Sequence, residues 1–118
     1  MATATVSNEK PYLYLTTDTS AANTALAVTV PSGAARRLVM VAVKYSAAPT
    51  QAGVTTELDS GIGAAYDTTL NTGTANARST VYIPGDAVKY GKDDSIVVTA
   101  PAGGAGITSS VSIYTEGL

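Results

Sequence analysis

The sequence predicts an all-β fold, an antiparallel sandwich or small barrel of about eight strands. Thr, Val, Ala and Gly dominate the 118 residues, whereas Leu, Glu, Lys and Gln are sparse. This balance favours strands, because β-branched side chains pack well on a pleated sheet. Apolar and polar residues alternate with a period of two in many short segments, which Gly- or Pro-containing stretches separate. The length is typical of one domain.

Most of the predicted strands are short alternating segments that end at a turn signal; Leu26–Val30, for example, runs into Pro31, Ser32 and Gly33. No helix is convincing, because the best candidate, Ala21–Leu26, is too short. The predicted strands are Tyr12–Thr16, Leu26–Val30, Leu38–Tyr45, Val54–Asp59, Tyr66–Leu70, Val81–Ile83, Ile96–Thr99 and Ile107–Ile113. The breakers between them are 31–33, 49–53, 60–63, 84–85, 91–94 and 101–106, a spacing typical of a sandwich or barrel.

The third segment differs from the others because both of its faces are largely apolar. Val39, Val41, Val43 and Tyr45 alternate there with Leu38, Met40, Ala42 and Lys44. Such a pattern is typical of a strand that is buried on both faces or that faces a partner subunit.

The first ten residues differ in character from the rest of the chain. Residues 1–10 are small and polar, and we expect a flexible N-terminal arm there, ahead of a single β-sandwich domain at 11–118. The start lacks the basic region and apolar core of a secretory signal, and no apolar run approaches the roughly 20 residues that span a bilayer. We therefore expect a soluble protein made inside the cell, with no membrane partner.

Composition excludes several classes of site. Without Cys or His the chain has no disulfide, no thiolate or imidazole metal site and no serine–histidine triad. The net charge is −2 and the seven basic residues are scattered, so nucleic acid is not an expected partner. Charged residues make up only 14% of the chain, against about 25% in an average protein. A surface with so little charge tolerates close packing against neighbours. The core is light in aromatic residues, so association would add to its stability, which is an argument for an oligomer or a larger assembly.

The stretch ELDSGIGAAYD, residues 57–67, has two interpretations. Asp59-Ser60-Gly61 has the form of an aspartic-protease catalytic turn, which in a chain of this size implies a symmetric dimer with two carboxylates sharing a proton. That chemistry needs a buried approach to the aspartate, and here Glu57 makes the approach half polar. The alternative is a structural turn, which Asp, Ser and Gly favour, and we adopt it.

Other candidate sites are also weak, and we expect no cofactor and no metal. The Gly-rich segments 61–63 and 103–106 lack the spacing of a phosphate-binding loop. Five aspartates in predicted loops could offer oxygen ligands to calcium, but their spacing matches no known loop. Tyr12 and Tyr14 point to the same face of one predicted strand and are the best aromatic pair for an interface.

The order of features along residues 26–116 carries a resemblance to a known family. A valine-rich strand ends in Tyr45-Ser46. The turn 49–53 and the corner Leu58-Asp59-Ser60-Gly61 follow it, and Tyr66-Asp67 and Leu70 complete the first half of these features. In this order the chain resembles small virion proteins of tailed bacteriophages, specifically the jelly-roll capsid decoration (cement) proteins or head-associated structural proteins of similar build.

The resemblance implies an eight-stranded antiparallel jelly roll, self-association as dimers or trimers, and binding to the major capsid protein on the outside of an icosahedral shell. It implies no catalytic residue. The expected location is the outer capsid surface of the virion, after synthesis in the host cytoplasm. The rival expectations are a tail or fibre component, or host-surface binding module, and a dimeric hydrolase using Asp59. The expected contact residues are Ala2, Thr3, Thr5, Val6, Tyr12, Tyr14, Arg36, Arg37, Leu38 and Met40.

Overall fold

The computed structural model describes residues 13–30 and 33–118, where nearly all the regular structure is β-strand. The strands are β1 (Leu13–Thr19), β2 (Leu26–Val30), β3 (Arg36–Tyr45), β4 (Thr55–Asp59), β5 (Thr68–Thr72), β6 (Ser79–Tyr82), β7 (Lys89–Tyr90), β8 (Ser95–Ala100) and β9 (Ser109–Gly117). A single 3₁₀ turn, Ala64–Tyr66, lies between β4 and β5. The expected arm at 1–10 lies outside the described residues.

The strands form two antiparallel sheets that pack face to face. The front sheet has the order β1-β9-β3-β6, and the two residues of β7 also pair with β3, beside β6. The back sheet has the order β2-β8-β4-β5. The predicted all-β antiparallel sandwich is therefore confirmed.

The strands pair in the order of a jelly roll. From the ends of the chain towards its middle the pairs are β1 with β9, β2 with β8, β3 with β6 and β4 with β5, and successive pairs fall alternately in the front and back sheets. A long antiparallel ladder rolled in this way gives the eight-stranded jelly roll. The ninth strand, β7, is a two-residue addition that the sequence did not predict.

The core between the sheets is built mostly from valine. Every second residue is buried in β8 and in β9, as the alternating patterns predicted. The largest fully buried side chain is Tyr45. Its hydroxyl donates a hydrogen bond to the Pro101 carbonyl at 2.7 Å, and burial raises the pKa of the phenol. Tyr45 and Tyr90 thus supply buried aromatic bulk in a chain without Phe or Trp.

The alternation expected at the start of β3, with Leu38 and Met40 on one face, is wrong. The cause is a β-bulge in this strand. Leu38 lies opposite Thr115 and Met40 lies opposite Tyr114, so that Val39 is an extra residue without an opposite partner. The extra residue changes the phase, and Leu38 therefore shares the core face with Val41 and the residues that alternate after it.

Several strand bounds also differ from the predicted ones. β1 extends to Thr19, and β9 begins at Ser109 and extends to Gly117. The segment expected to form a strand from Tyr66 begins instead with the 3₁₀ turn, and β5 starts at Thr68. Long-range pairing decides these bounds, since β1 and β9 hold each other in register along seven residue pairs.

Candidate interaction surface

The outer faces of the two sheets differ in chemistry. The outer face of the back sheet is dominated by threonine and other polar side chains; its residues are Ala27, Thr29, Thr55, Glu57, Asp59, Thr69, Thr72, Ser95, Val97 and Thr99. The outer face of the front sheet carries apolar side chains from all four of its main strands. We call six of these side chains the outer row: Leu15, Met40, Ala42, Val81, Ile83 and Tyr114. Leu13, opposite Glu116, lies on the same face.

Strand register brings the outer row together. Leu15 of β1 lies opposite Tyr114 of β9, and Tyr114 in turn lies opposite Met40 of β3. Directly opposite residues of antiparallel strands project from the same face. This face is the outer one, because Ile113, next to Tyr114, is fully buried in the core. The outer row therefore crosses the sheet from its β1 edge.

The far side of the outer row comes from β6 and the residue after it. Val81 lies opposite Ala42 of β3. Tyr82 packs against the core, so Ile83, which follows it, continues the row by alternation. Val81 is 60% exposed and Ile83 is 67% exposed. At the other edge of the sheet, Leu15 is 54% exposed. Single exposed apolar residues are common on soluble proteins, whereas a contiguous apolar row is a candidate interaction surface.

An ion-pair cluster borders the outer row at one end. Arg37 of β3 lies opposite Glu116 of β9, and the two side chains form a salt bridge at 3.5 Å. Arg37 also donates a hydrogen bond to the Gly85 carbonyl at 2.7 Å and pairs with the exposed Asp86 at 3.6 Å. The guanidinium is already engaged within the chain, so Arg37 fixes the β6–β7 connection against the front sheet.

The neighbouring arginine points inward. The Arg36 guanidinium lies over the ring of Tyr14, 4.4 Å from its centre, and donates to the Thr115 hydroxyl at 3.4 Å. Tyr90 is buried beside them; burial raises the pKa of its phenol, and the Arg36 charge opposes that rise. An open groove of about 480 Å³ lies at this end of the sandwich, lined by Tyr14, Ala34, Ala35, Arg36, Gly117 and Leu118.

β1 forms one edge of the front sheet and is exposed on both faces. Six of its seven residues are exposed and only Thr16 is half-buried. Among the described strands β1 pairs with β9 alone, so its other edge carries backbone groups without a strand partner. Edges of this kind accept a further strand unless the chain protects them.

The corner at residues 57–67 is held by two aspartates other than Asp59. Asp67 accepts a hydrogen bond from the Ser60 N–H at 2.8 Å. Asp94, in the β7–β8 turn, accepts from the Gly61 N–H at 3.0 Å and from the Gly91 N–H at 3.1 Å. Asp59 itself is exposed at the end of β4, whereas a proton-sharing catalytic pair needs burial. The predicted strand, glycine corner and strand are present, with the 3₁₀ turn added.

This corner also presents two large apolar side chains to solvent, Ile62 and Tyr66. The hydrogen bonds from Ser60 and Gly61 fix the backbone that carries them. Neither residue was among the contacts expected from the sequence.

The expected contact residues have different outcomes. Tyr14 and Arg36 are brought together at the end of the sandwich, Arg37 is engaged in the ion-pair cluster, and Met40 lies in the outer row. The expectation that Leu38 contacts a partner is wrong. Leu38 is fully buried, because the bulge at Val39 turns it into the core. The remaining expected contacts, Ala2, Thr3, Thr5, Val6 and Tyr12, lie outside the described residues.

Leu15, Val81, Ile83 and Tyr114 were not among the contacts expected from the sequence. Their alternation with inward residues was visible, but which face they shared depended on pairing between strands far apart in the chain.

The described residues contain neither a metal-binding group nor a transmembrane helix. Over 13–30 and 33–118, no cluster of three or more His, Cys, Asp or Glu side chains could hold a metal ion. In the same part of the chain no helix is long and apolar enough to cross a bilayer. Comparison with known proteins adds no family: no protein-family model matches the chain, and no curated protein is significantly similar to it.

Proposed function

We propose that this protein is a non-enzymatic virion structural protein that decorates and stabilises a bacteriophage capsid, bound where major capsid protein subunits meet. The observation that carries the proposal is the contrast between the two outer faces of the sandwich. One face is dominated by threonine, and the other carries the outer row across the width of the front sheet. A protein that binds a surface through one face needs this asymmetry.

The chemistry of the outer row suits a shell. Apolar burial contributes about 25 cal/mol per Å² of apolar area removed from water, and it needs no matching charge on the partner. A cement protein acts in many copies, so a modest stabilisation at each junction adds up over the particle. The low charge of the chain supports this proposal, since few ions must lose water when the face is covered.

The binding face can be tested with the empty heads of the source phage, before and after expansion, in density-gradient sedimentation. We expect saturable co-sedimentation with expanded heads. The double variant Val81→Asp/Ile83→Asp places two charges in the outer row and should weaken binding by about 100-fold or more, because buried unpaired charges are costly. The matched control is Thr29→Asp/Thr69→Asp, which places two charges on the back sheet's outer face.

Three outcomes contradict the proposal. The first is no co-sedimentation with either form of head, which would redirect the assay to purified tails and host envelopes. The second is full binding by the Val81→Asp/Ile83→Asp variant, which would exclude the outer row as the binding face. The third is an equal loss of head binding by the Thr29→Asp/Thr69→Asp control, which would show that two added charges on any face prevent binding.

A further inference from the structure

We infer that two copies of this chain pair through the free edge of β1, antiparallel and about a two-fold axis at Thr16, so that their front sheets become one continuous sheet. This inference goes beyond the proposed function, because it concerns the protein free in solution. The occupant of the β1 edge is a second copy of β1, and three features of the strand support that assignment.

The first feature is the direction of the backbone groups. The Ser20 N–H donates to the Ser109 carbonyl at 2.8 Å, one residue beyond the end of β1. Backbone groups alternate between the two edges of a strand, so the even-numbered residues of β1 turn theirs towards β9 and the odd-numbered residues turn theirs to the free edge. Leu13, Leu15, Thr17 and Thr19 therefore present their N–H and C=O groups to an incoming strand.

The second feature is that a two-fold axis at Thr16, the middle residue of β1, pairs the edge-facing odd-numbered residues of the two copies with each other. With the axis at Thr16, Leu15 lies opposite Thr17 of the second copy and Leu13 lies opposite Thr19, so every hydrogen-bonded pair is odd with odd. All seven residues of β1 are used, and about eight backbone hydrogen bonds form. On the outer face the two Leu15 side chains become diagonal neighbours, which joins the outer rows of both copies.

The third feature is charge complementarity on the inner face. In this register Tyr14 lies opposite Asp18 of the second copy. Arg36 already covers the Tyr14 ring at 4.4 Å, which places its guanidinium within reach of that carboxylate. By symmetry the contact occurs twice. In the single chain, Asp18 accepts a hydrogen bond from the Thr19 N–H at 2.8 Å; pairing gives that N–H a backbone acceptor and releases the carboxylate to Arg36.

The test uses the purified full chain and sedimentation equilibrium over micromolar concentrations, without heads. We expect the native protein to be a dimer and Leu15→Pro to sediment at half its mass. Proline at 15 removes an edge-facing N–H and leaves the β9 hydrogen bonds intact. The control Leu15→Ala removes the side chain but keeps the N–H, and it should keep the dimer. Far-UV circular dichroism checks that each variant is folded.

A cysteine variant tests the register and does not depend on the proline variant folding. The chain has no Cys, so Thr16→Cys introduces a single thiol that meets its copy at the axis, at a Cα separation of roughly 4.5 Å that a disulfide can bridge. Oxidation should convert most of this variant to covalent dimer. Thr19→Cys is the control, because its copy lies about 20 Å away in this register and should not crosslink.

Each result either supports or overturns the inference. A monomeric native protein overturns it, and so does a dimer that survives Leu15→Pro in a folded chain or fails to crosslink at Thr16→Cys. Capture of a strand from a different protein by a monomeric chain would also overturn it. A monomer that binds heads contradicts this inference alone, whereas a crosslinking dimer that ignores heads contradicts only the proposed function.

Discussion

Single residues explain why the stretch from Glu57 to Asp67 has the form of a catalytic turn while it acts as a corner. Gly61 is needed because a Cβ at that position would collide with the Asp93 carbonyl. Gly63 is needed for a different reason, since its φ of 125° lies in the region that favours glycine. The Ser60 N–H bonds Asp67 within the corner, and the Gly61 N–H bonds Asp94, which joins the corner to the β7–β8 turn.

A pair of glycine substitutions tests this assignment. Gly61→Ala should destabilise the protein by about 1–3 kcal/mol, because the backbone of Asp93 must move to admit the methyl group. Gly91→Ala is the matched control in the facing turn, where a Cβ meets only the Asp94 side chain at 3.6 Å. It should be neutral or stabilising by up to about 1 kcal/mol, because alanine lowers the entropy of the unfolded chain.

The free energy of unfolding in urea measures both variants. Equal effects from the two substitutions would contradict the close approach of Gly61 to the β7–β8 turn.

At the scale of a single element, β3 depends on one inserted residue. The bulge at Val39 places Leu38 in the core while Arg36 and Arg37 keep their pairing with β7 and β9. Without the bulge, strict alternation would turn Val41 and Val43 outward whenever Leu38 faces the core. A bulge is a local solution to that conflict, because it changes the phase without breaking the strand.

Single-residue deletions in β3 therefore differ sharply in cost. Deletion of Val39 removes the extra residue and leaves every inward side chain in phase, so we expect a loss below about 1.5 kcal/mol in unfolding free energy. Deletion of Ala42, the control three residues on, turns the rest of the strand over and exposes core valines. That loss should exceed about 3 kcal/mol or prevent folding.

Urea midpoints of the two deletion variants decide the question. Comparable losses would mean that Val39 is an ordinary strand residue rather than the centre of a bulge.

At the scale of the whole molecule, the jelly roll pairs the first and the last of the described strands. The contact between Thr17 of β1 and Ser112 of β9 joins residues 95 positions apart. Folding must close that loop before the front sheet is complete, and closure of long loops slows folding. The start of β1 nevertheless lies beside the end of β9, with Leu13 opposite Glu116.

A circular permutant exploits this proximity. Leu118 is joined directly to Met1, and the chain is opened between Ala105 and Gly106, which are both exposed in the β8–β9 connection. β9 and β1 then follow one another, which shortens the loop to roughly a quarter and should speed refolding by about tenfold if β1–β9 pairing limits the rate. Stopped-flow tyrosine fluorescence compares the permutant with the native order; equal rates would show that another pairing limits folding.

Much of this architecture was predictable from local sequence. The alternation in β2, β4, β8 and β9, together with the breakers between strands, predicted an antiparallel sandwich of about eight strands with a turn after Asp59. These features depend on near neighbours, since period-two burial and turn formation are properties of a few consecutive residues.

Only the tertiary structure decided which side chains share a surface. Leu15, Tyr114 and Met40 form one row because β9 lies between β1 and β3, strands whose partners are distant in the chain. The bulge at Val39 likewise depends on the partner strand, and it moved Leu38 from an expected contact into the core. The sequence by itself determined most of the strands and the turn after Asp59. The pairing of strands far apart in the chain determined the faces, because a face exists only once strands are placed side by side.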